Sequence, residues 1–125
     1  MCIVDGDLTL KDAINNVKTF LSLSDVRVAI SATGSLASQI KTIAVCAGSG
    51  SAVLKLASAD LYITGEMSHH EILEATQNNT HVILCNHTNT ERGYLKEFKT
   101  LFQNLLDNNI EINITEVDAD PLVTY

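Results

Sequence analysis

"TIAVCAGSGSAVLKLASADLYITGEMSHHEILEATQNNTHVILC", residues 42–85, contains three apolar runs of strand length. The runs are TIAVCA (42–47), DLYIT (60–64) and HVILC (81–85). AVLKLAS, after the first run, favours a helix, and Ser68 with Glu71 forms a capping box for another, expected from His69 to about Gln77. Strands that alternate with helices across short connections predict an α/β fold with a mostly parallel sheet and helices on both faces.

The residues before this stretch predict one helix and one strand. Thr9 can cap a helix whose apolar residues recur at helical spacing from Leu10 to Leu21. VRVAI (26–30) alternates and is rich in β-branched residues, which predicts a strand. Because no linker or repeat divides the chain, we expect residues 1–125 to form a single α/β domain.

Two further elements are predicted after residue 85. Thr88 and Glu91 form a second candidate capping box, and the apolar residues from Tyr94 to Leu106 recur at helical spacing behind it. IEINIT (110–115) alternates between apolar and polar residues, which predicts a half-buried strand. The acidic tail that follows contains the single proline of the chain and predicts a loop.

Composition is typical of a globular protein and opposes two classes of partner. Hydrophobic residues make up 46% and charged residues 18% of the chain, and the formal net charge is −7. Negative charge repels phosphates and anionic lipids, so we expect no direct binding of nucleic acid and no membrane association. The N-terminus lacks the basic region of a signal peptide and the three cysteines lie far apart, which predicts a reduced cytoplasmic protein.

Polar segments follow each of the three buried strands, at Gly48–Ser51, Gly65–His70 and Asn86–Glu91. In an open α/β sheet, ligands collect at the carboxyl ends of parallel strands, so we expect the three segments to meet at one edge. The first segment can cradle a phosphate through backbone N–H groups, but it lacks the lysine of a phosphate-binding loop. A tight turn between strand and helix is the alternative for that segment.

His87 and Glu91 are the sharpest candidate pair. An imidazole and a carboxylate at the start of a helix suit Zn, Mn, Fe or Co. Two residues do not complete a site, because even an open catalytic zinc site uses about three protein ligands. The alternative is that Glu91 caps the helix through the backbone N–H of Thr88 and that His87 is an ordinary loop residue.

Glu66, His69 and His70 form a second group of candidates. Glu66 can act as a general base or as the acceptor that orients a metal-bound histidine. His69 and His70 point about 100° apart on a helix, so at most one of them faces a given site easily. The alternative for all three is a solvated helix N-terminus. We interpret His81 and Cys85 as structural residues.

Three blocks of the sequence resemble, in the same order, the C-terminal half of the Nif-three-like family (NGG-one-interacting factor three). They are IAVCAGSGSAVLKLASADLYITGEMSHHEILEA, VILCNHTNTERGYL and DADPL. The resemblance covers nearly the whole chain and is strongest from Ile43 to Leu95. Bacterial relatives often carry the name GTP cyclohydrolase I type two.

The resemblance implies a two-metal site in a cleft between two related α/β lobes, of which this chain supplies one. It assigns His87 and Glu91 as ligands of a divalent metal. Glu66 belongs to the neighbouring block, and beside such a metal we expect it to act as the catalytic base or as the acceptor that orients a ligand. The neighbouring block lines the same cleft. Its site-lining residues are Gly65, Ser68, His69 and His70.

The chain departs from the family pattern in one important respect. The family's other ligands, a paired-histidine block and a later aspartate, lie in an N-terminal lobe that has no counterpart here. His69 and His70 belong to a different block and do not replace that pair. We therefore expect metal binding by this chain to be weak or absent and the chain alone to be inactive, whereas the full-length form is expected to be a metal-dependent hydrolase.

The resemblance also implies a second kind of function. Eukaryotic relatives are linked to transcriptional coregulators, and the family forms homo-oligomers. The alternative to an enzyme is therefore a noncatalytic protein-interaction module that self-associates and contacts coregulator proteins. We expect the protein in the cytoplasm and, for such a role, also in the nucleus.

Overall fold

The computed structural model describes residues 2–3, 7–107 and 109–122 of the chain. Its strands are β1 (Cys2–Ile3), β2 (Arg27–Ala29), β3 (Thr42–Ser49), β4 (Leu61–Glu66) and β5 (His81–Leu84). Its α-helices are α1 (Leu10–Leu21), α2 (Ser51–Leu54), α3 (His69–Gln77), α4 (His87–Glu91) and α5 (Leu95–Leu105), and a 3₁₀ turn at Arg92–Tyr94 separates the last two. None of the described helices has the length and apolar character needed to cross a membrane.

The described strands form one sheet in the order β1-β3-β4-β5-β2. The three central strands are parallel, and the two outer strands run antiparallel to their neighbours. All four residues of β5 are buried, as expected for a parallel strand that is covered by other elements. The prediction of an α/β fold with a mostly parallel sheet is confirmed.

Alternate residues of the central strands belong to two separate core clusters, as the two-residue period of a strand requires. Ala44, Tyr62 and Val82 pack with Leu54 of α2 and Ala75 of α3. The second cluster joins the next residues along the strands to α1. Its buried members are Leu10, Ala13, Ile40, Leu61, Ile83 and Cys85.

The predicted cap of α1 at Thr9 and the predicted capping box of α3 are confirmed, and α1 also has a complete capping box. Thr9 accepts a hydrogen bond from the backbone N–H of Asp12, and Ser68 accepts one from that of Glu71, with the return bonds also present. Glu71 further accepts a hydrogen bond at 2.6 Å from the hydroxyl of Ser51, which ties α3 to the start of α2. These bonds, led by the one from Ser51, lower the pKa of Glu71 to about 2.

The amphipathic helix predicted from Tyr94 to Leu106 is confirmed as α5, but two other predictions for the C-terminal region are wrong. Thr88 and Glu91 do not form a capping box, because α4 already begins at His87, after its N-cap Asn86. The strand predicted at 110–115 is absent from the structure, where these residues have irregular backbone. An alternating pattern forms a strand only beside a sheet edge that can pair with it, and no described strand pairs with this segment.

His81 has the structural role that its sequence context indicated. It is only 4% exposed, and its Nδ1 accepts a hydrogen bond at 3.0 Å from the backbone N–H of Ser31. Burial disfavours the charged imidazole and lowers the pKa of His81 below its usual value, against the opposing charge of Asp60. The neutral ring therefore holds the segment after β2 against the start of β5.

We predict that acidification destabilises the fold through His81. Since the pKa of His81 is lower in the folded than in the unfolded chain, the unfolded chain takes up its proton first, and stability falls as pH drops through about 6.5. His81→Asn keeps an acceptor for Ser31 but does not titrate, and its lost packing should cost about 1–2 kcal/mol. Melting temperatures at about pH 7.5 and pH 5.5 should differ more for the wild type than for this variant. An equal pH dependence in both proteins would contradict the assignment.

Candidate metal centre

The three segments that follow β3, β4 and β5 meet at one edge of the sheet, as the connectivity predicts. Gly65 shows how closely they approach. A β-carbon at that position would lie 2.7 Å from the carbonyl oxygen of Gly48 and 2.9 Å from the Cα atom of His87. These distances are shorter than real side chains allow, so the lack of a side chain at Gly65 lets the backbone carrying His87 sit against β4.

His87 lies between two carboxylates. Its Nδ1 is 3.0 Å from Oε2 of Glu66, at the end of β4, and its Nε2 is 3.3 Å from Oε1 of Glu91, one turn along α4. The side chains of His87 and Glu66 are each 44% exposed, and that of Glu91 is 52% exposed. The group is therefore open to ions and small ligands.

The two carboxylates favour the charged imidazole. The hydrogen bond to Glu66 raises the pKa of His87 above its usual value against the opposing effect of burial, and the charges of Glu91, Glu66 and Asp120 contribute less in the same upward direction. When the ring is neutral, a carboxylate at Nδ1 favours the proton on that nitrogen. The lone pair of Nε2 then faces the side of the ring where Glu91 lies.

The backbone at the end of β3 passes close to the side chains of His87 and Glu91. Gly48 has φ +63°, and a β-carbon there would lie 2.7 Å from Oε1 of Glu91 and 3.0 Å from Nε2 of His87. The hydroxyl of Thr90 accepts a hydrogen bond from the N–H of Gly48 and donates one to the carbonyl oxygen of His87, both at 2.8 Å. Thr90 thereby joins α4 to the end of β3.

The same turn is not arranged as a phosphate cradle. The N–H of Gly48 is directed to Thr90, and the N–H of Gly50 donates to the hydroxyl of Thr64 at 3.1 Å. Thr64 in turn donates to the carbonyl oxygen of Gly48. These internal bonds support the tight-turn interpretation, since they use donors that a bound phosphate would need.

The capping role considered for Glu91 is taken by another residue. The backbone N–H of Thr88 donates to Oδ2 of Asp120, at 3.1 Å, while the carboxylate of Glu91 faces His87. Asp120 was recognisable in the sequence only as part of the block DADPL. No local pattern signals that its carboxylate reaches α4, since the two residues lie 32 positions apart.

Ser68, His69 and His70, predicted to line the site, lie at the exposed start of α3. Ser68 is used as the helix cap, and the two imidazoles contact each other edge to face with their centroids 5.8 Å apart. Among the described residues, no hydrogen bond or ion pair joins either imidazole to His87. Their assignment to the site stays a prediction.

The pair His87 and Glu91 fits a divalent metal but does not complete a site. Nitrogen and oxygen ligands of a tetrahedral zinc lie about 2.0–2.2 Å from the ion and therefore about 3.4 Å from each other. Nε2 of His87 and Oε1 of Glu91 have nearly this separation, 3.3 Å. Within residues 2–3, 7–107 and 109–122, no group of three or more His, Cys, Asp or Glu side chains is arranged to hold a metal.

Cys85 is buried, which raises the pKa of its thiol to about 11 and makes it a poor ligand or nucleophile.

Relatives of known sequence match almost the whole chain. Human NIF3-like protein 1 is 46% identical over 98% of this chain, and NGG1-interacting factor 3 of Saccharomyces cerevisiae is 46% identical over 93% of it. These matches span 32% and 41% of the two relatives. The chain thus covers between about a third and two fifths of the length of these two relatives.

Solved structures show the same fold. A Staphylococcus aureus protein superposes with a TM-score of 0.75 and 26% identity, over 98% of this chain and 36% of its own. A Bacillus cereus protein related to NIF3 gives a TM-score of 0.75 with 22% identity, over 98% of this chain and 34% of its own. The family model described as Duf34/NIF3 (NGG1p interacting factor 3) matches residues 1–121. The chain therefore belongs to the Duf34/NIF3 family.

Proposed function

We propose that this chain is one lobe, with helices on both faces of its sheet, of a larger two-lobed protein that binds divalent metal. His87 and Glu91 supply two ligands for Zn, Mn, Fe or Co in this proposal. The observation that carries it is the row of three side chains, Glu66, His87 and Glu91, at the carboxyl edge of the sheet. The remaining ligands would come from parts of the full-length protein outside this chain.

Glu66 acts in this proposal by orienting His87. Its contact with Nδ1 supports that role over the role of general base, because its Oε2 is already engaged by the imidazole. A carboxylate behind a metal-bound histidine fixes the ring and increases the basicity of the ligating nitrogen. The same carboxylate would keep Nε2 directed to the open side of the site.

The metal would supply a water molecule with a lowered pKa, which suits hydrolysis. We propose a hydrolase acting on a nucleotide-like or other phosphorylated substrate as the activity of the full-length form, and an inactive state for this chain alone. The half-exposed His87 and Glu91 are accessible from solvent, as an open catalytic position requires.

We predict that Co²⁺ binding to the purified chain depends on all three residues. His87→Ala and Glu91→Ala should each abolish measurable binding, because each removes one of only two ligands. Glu66→Gln should weaken it by about 10–100-fold, as loss of a carboxylate behind a ligating histidine does. Visible absorption and titration calorimetry measure the affinity.

Glu97→Ala is the matched control for Glu91→Ala, since it removes an exposed carboxylate of α5 that makes no hydrogen bond among the described residues. It should leave Co²⁺ affinity unchanged. Co²⁺ binding that survives both His87→Ala and Glu91→Ala would contradict the assignment. A wild-type chain that binds no Co²⁺ at millimolar concentration would show that these two ligands need the remaining ligands of the full-length protein.

A second candidate function, protein interaction, is favoured by the surface of α5. None of its residues is buried, and it carries an apolar stripe on one side. Phe98 and Phe102 stack at 5.4 Å, and Tyr94 lies at 6.2 Å from Phe98. Together with Leu101 and Leu105, these residues define the α5 stripe, whose members are between 42% and 69% exposed.

We propose that the α5 stripe forms an interface between copies of this chain. An exposed apolar stripe of this kind marks an interaction surface, and the resemblance to a homo-oligomeric family favours a second copy as the occupant. The name of the yeast relative, NGG1-interacting factor 3, describes an interaction of that protein. For the present chain we propose a transcriptional coregulator only as a further partner of the same surface.

We predict that Phe98→Glu weakens self-association by about tenfold or more, because it places a charge at the centre of the stripe. Thr100→Glu adds the same charge on the opposite, polar side of α5 and should leave association unchanged. Sedimentation velocity over a range of concentrations measures both. Equal association of the two variants would contradict an interface at the stripe, and His87→Ala should have no effect.

A further inference from the structure

The C-terminal tail, residues 115–122, reaches the first turn of α4. Oδ2 of Asp120 accepts the hydrogen bond from the N–H of Thr88, and Oδ1 of the same carboxylate accepts one from the N–H of Leu122 at 2.9 Å. Asp120 is partly buried, and both of its oxygen atoms are used. Its carboxylate is therefore held in place by the tail and directed to the helix.

The tail is also attached at the other end of α4. Arg92, the residue that follows this helix, donates from Nη2 to the carbonyl oxygen of Thr115 at 2.7 Å. Its Nη1 forms an ion pair with Asp118. Thr88 and Arg92 are four residues apart, a rise of about 6 Å along a helix. Asp118 and Asp120 are two residues apart, and an extended chain spans about 7 Å over that separation. The two spacings match, and because the later tail residue contacts the earlier helix residue, the tail runs antiparallel to α4.

α4 has an unsatisfied donor that this contact supplies with an acceptor. The helix has only five residues, and its N-cap Asn86, at φ 65°, makes no capping bond through its side chain. The first N–H groups of a helix have no acceptor within the helix. Without the tail, the N–H of Thr88 would be free for another acceptor.

Glu91 is the competing acceptor. Thr88 and Glu91 have the spacing of a capping box, in which the glutamate carboxylate binds the N–H of the threonine. The box requires the threonine to be the N-cap, so it would form if the helix began at Thr88 instead of after Asn86, its present N-cap. A carboxylate bound there would leave its place beside Nε2 of His87. In the structure the N–H of Thr88 is occupied by Asp120, and Oε1 of Glu91 lies 3.3 Å from that nitrogen.

We propose that Asp120 is a positioning residue, which occupies the N–H of Thr88 and so keeps Glu91 beside His87 as a metal ligand. The metal part of this inference rests on the proposed function, whereas the exchange of acceptors at Thr88 does not. Arg92 supports the same arrangement by holding the tail beside α4 through Thr115 and Asp118.

The rate of amide hydrogen exchange at Thr88 in the metal-free protein tests whether Glu91 replaces Asp120 as the acceptor of this N–H. Asp120→Ala should accelerate it by about tenfold, the effect of losing a cap. Glu91→Ala alone should have no effect, but adding it to Asp120→Ala should accelerate exchange further, because Glu91 then serves as the substitute acceptor. Equal exchange in the single Asp120→Ala and double variants would overturn the proposal.

Co²⁺ affinity tests the consequence for the ligand. Asp120→Ala should weaken it by about tenfold, with little change in melting temperature, and Asp120→Asn should restore most of it, because Asn keeps an acceptor for Thr88 without the charge. Glu116→Ala is the matched control, since it removes an exposed acid of the same tail that makes no described hydrogen bond. An Asn variant as weak as the Ala variant would overturn the proposal. The hydrogen-exchange measurement decides the role of Asp120 whether or not the chain alone binds Co²⁺ measurably.

Discussion

The parallel pairing of β3, β4 and β5 is the constraint on which the candidate site depends. Ile63 is paired with Val45 on one side and with Ile83 on the other, so the three strands end at the same edge of the sheet. Each strand is followed by a different polar segment, and the segments meet because the strands are in register. Loss of this register would separate Glu66 from His87 even if both residues were retained.

Close approach of the backbone converts this shared edge into a compact group of side chains. Gly65 allows the start of α4 to contact β4, and Gly48 leaves space for the imidazole and carboxylate beside it. Thr90 then bonds to the backbone on both sides of the gap. The side chains of the candidate site are therefore placed mainly by residues that lie outside the proposed ligand set.

The fold could be predicted from the sequence where burial and local pattern agree. The runs that became β4 and β5 are apolar because these strands are largely buried, and the helix capped by Ser68 has the bounds that its pattern indicates. The prediction failed at 110–115, because alternation describes a strand's faces and contains no information about whether a sheet edge is available. His87 and Glu91 could be selected as a pair from spacing alone, but their contact with Glu66 required knowledge that two strand ends are neighbours.

The ambiguity at Glu91 has a more general physical cause. A glutamate three residues after a threonine can bind the backbone of its own helix, and one four residues after a histidine can face the imidazole. Both spacings are present here, so local sequence leaves two roles with similar geometry and modest energies. The structure resolves them through Asp120, which lies far along the chain and supplies the backbone with another acceptor. A side chain becomes available for a site when a different residue satisfies the local hydrogen bond that it would otherwise make. Such a residue is found among the hydrogen-bond partners of the helix rather than among the neighbours of the proposed ligands.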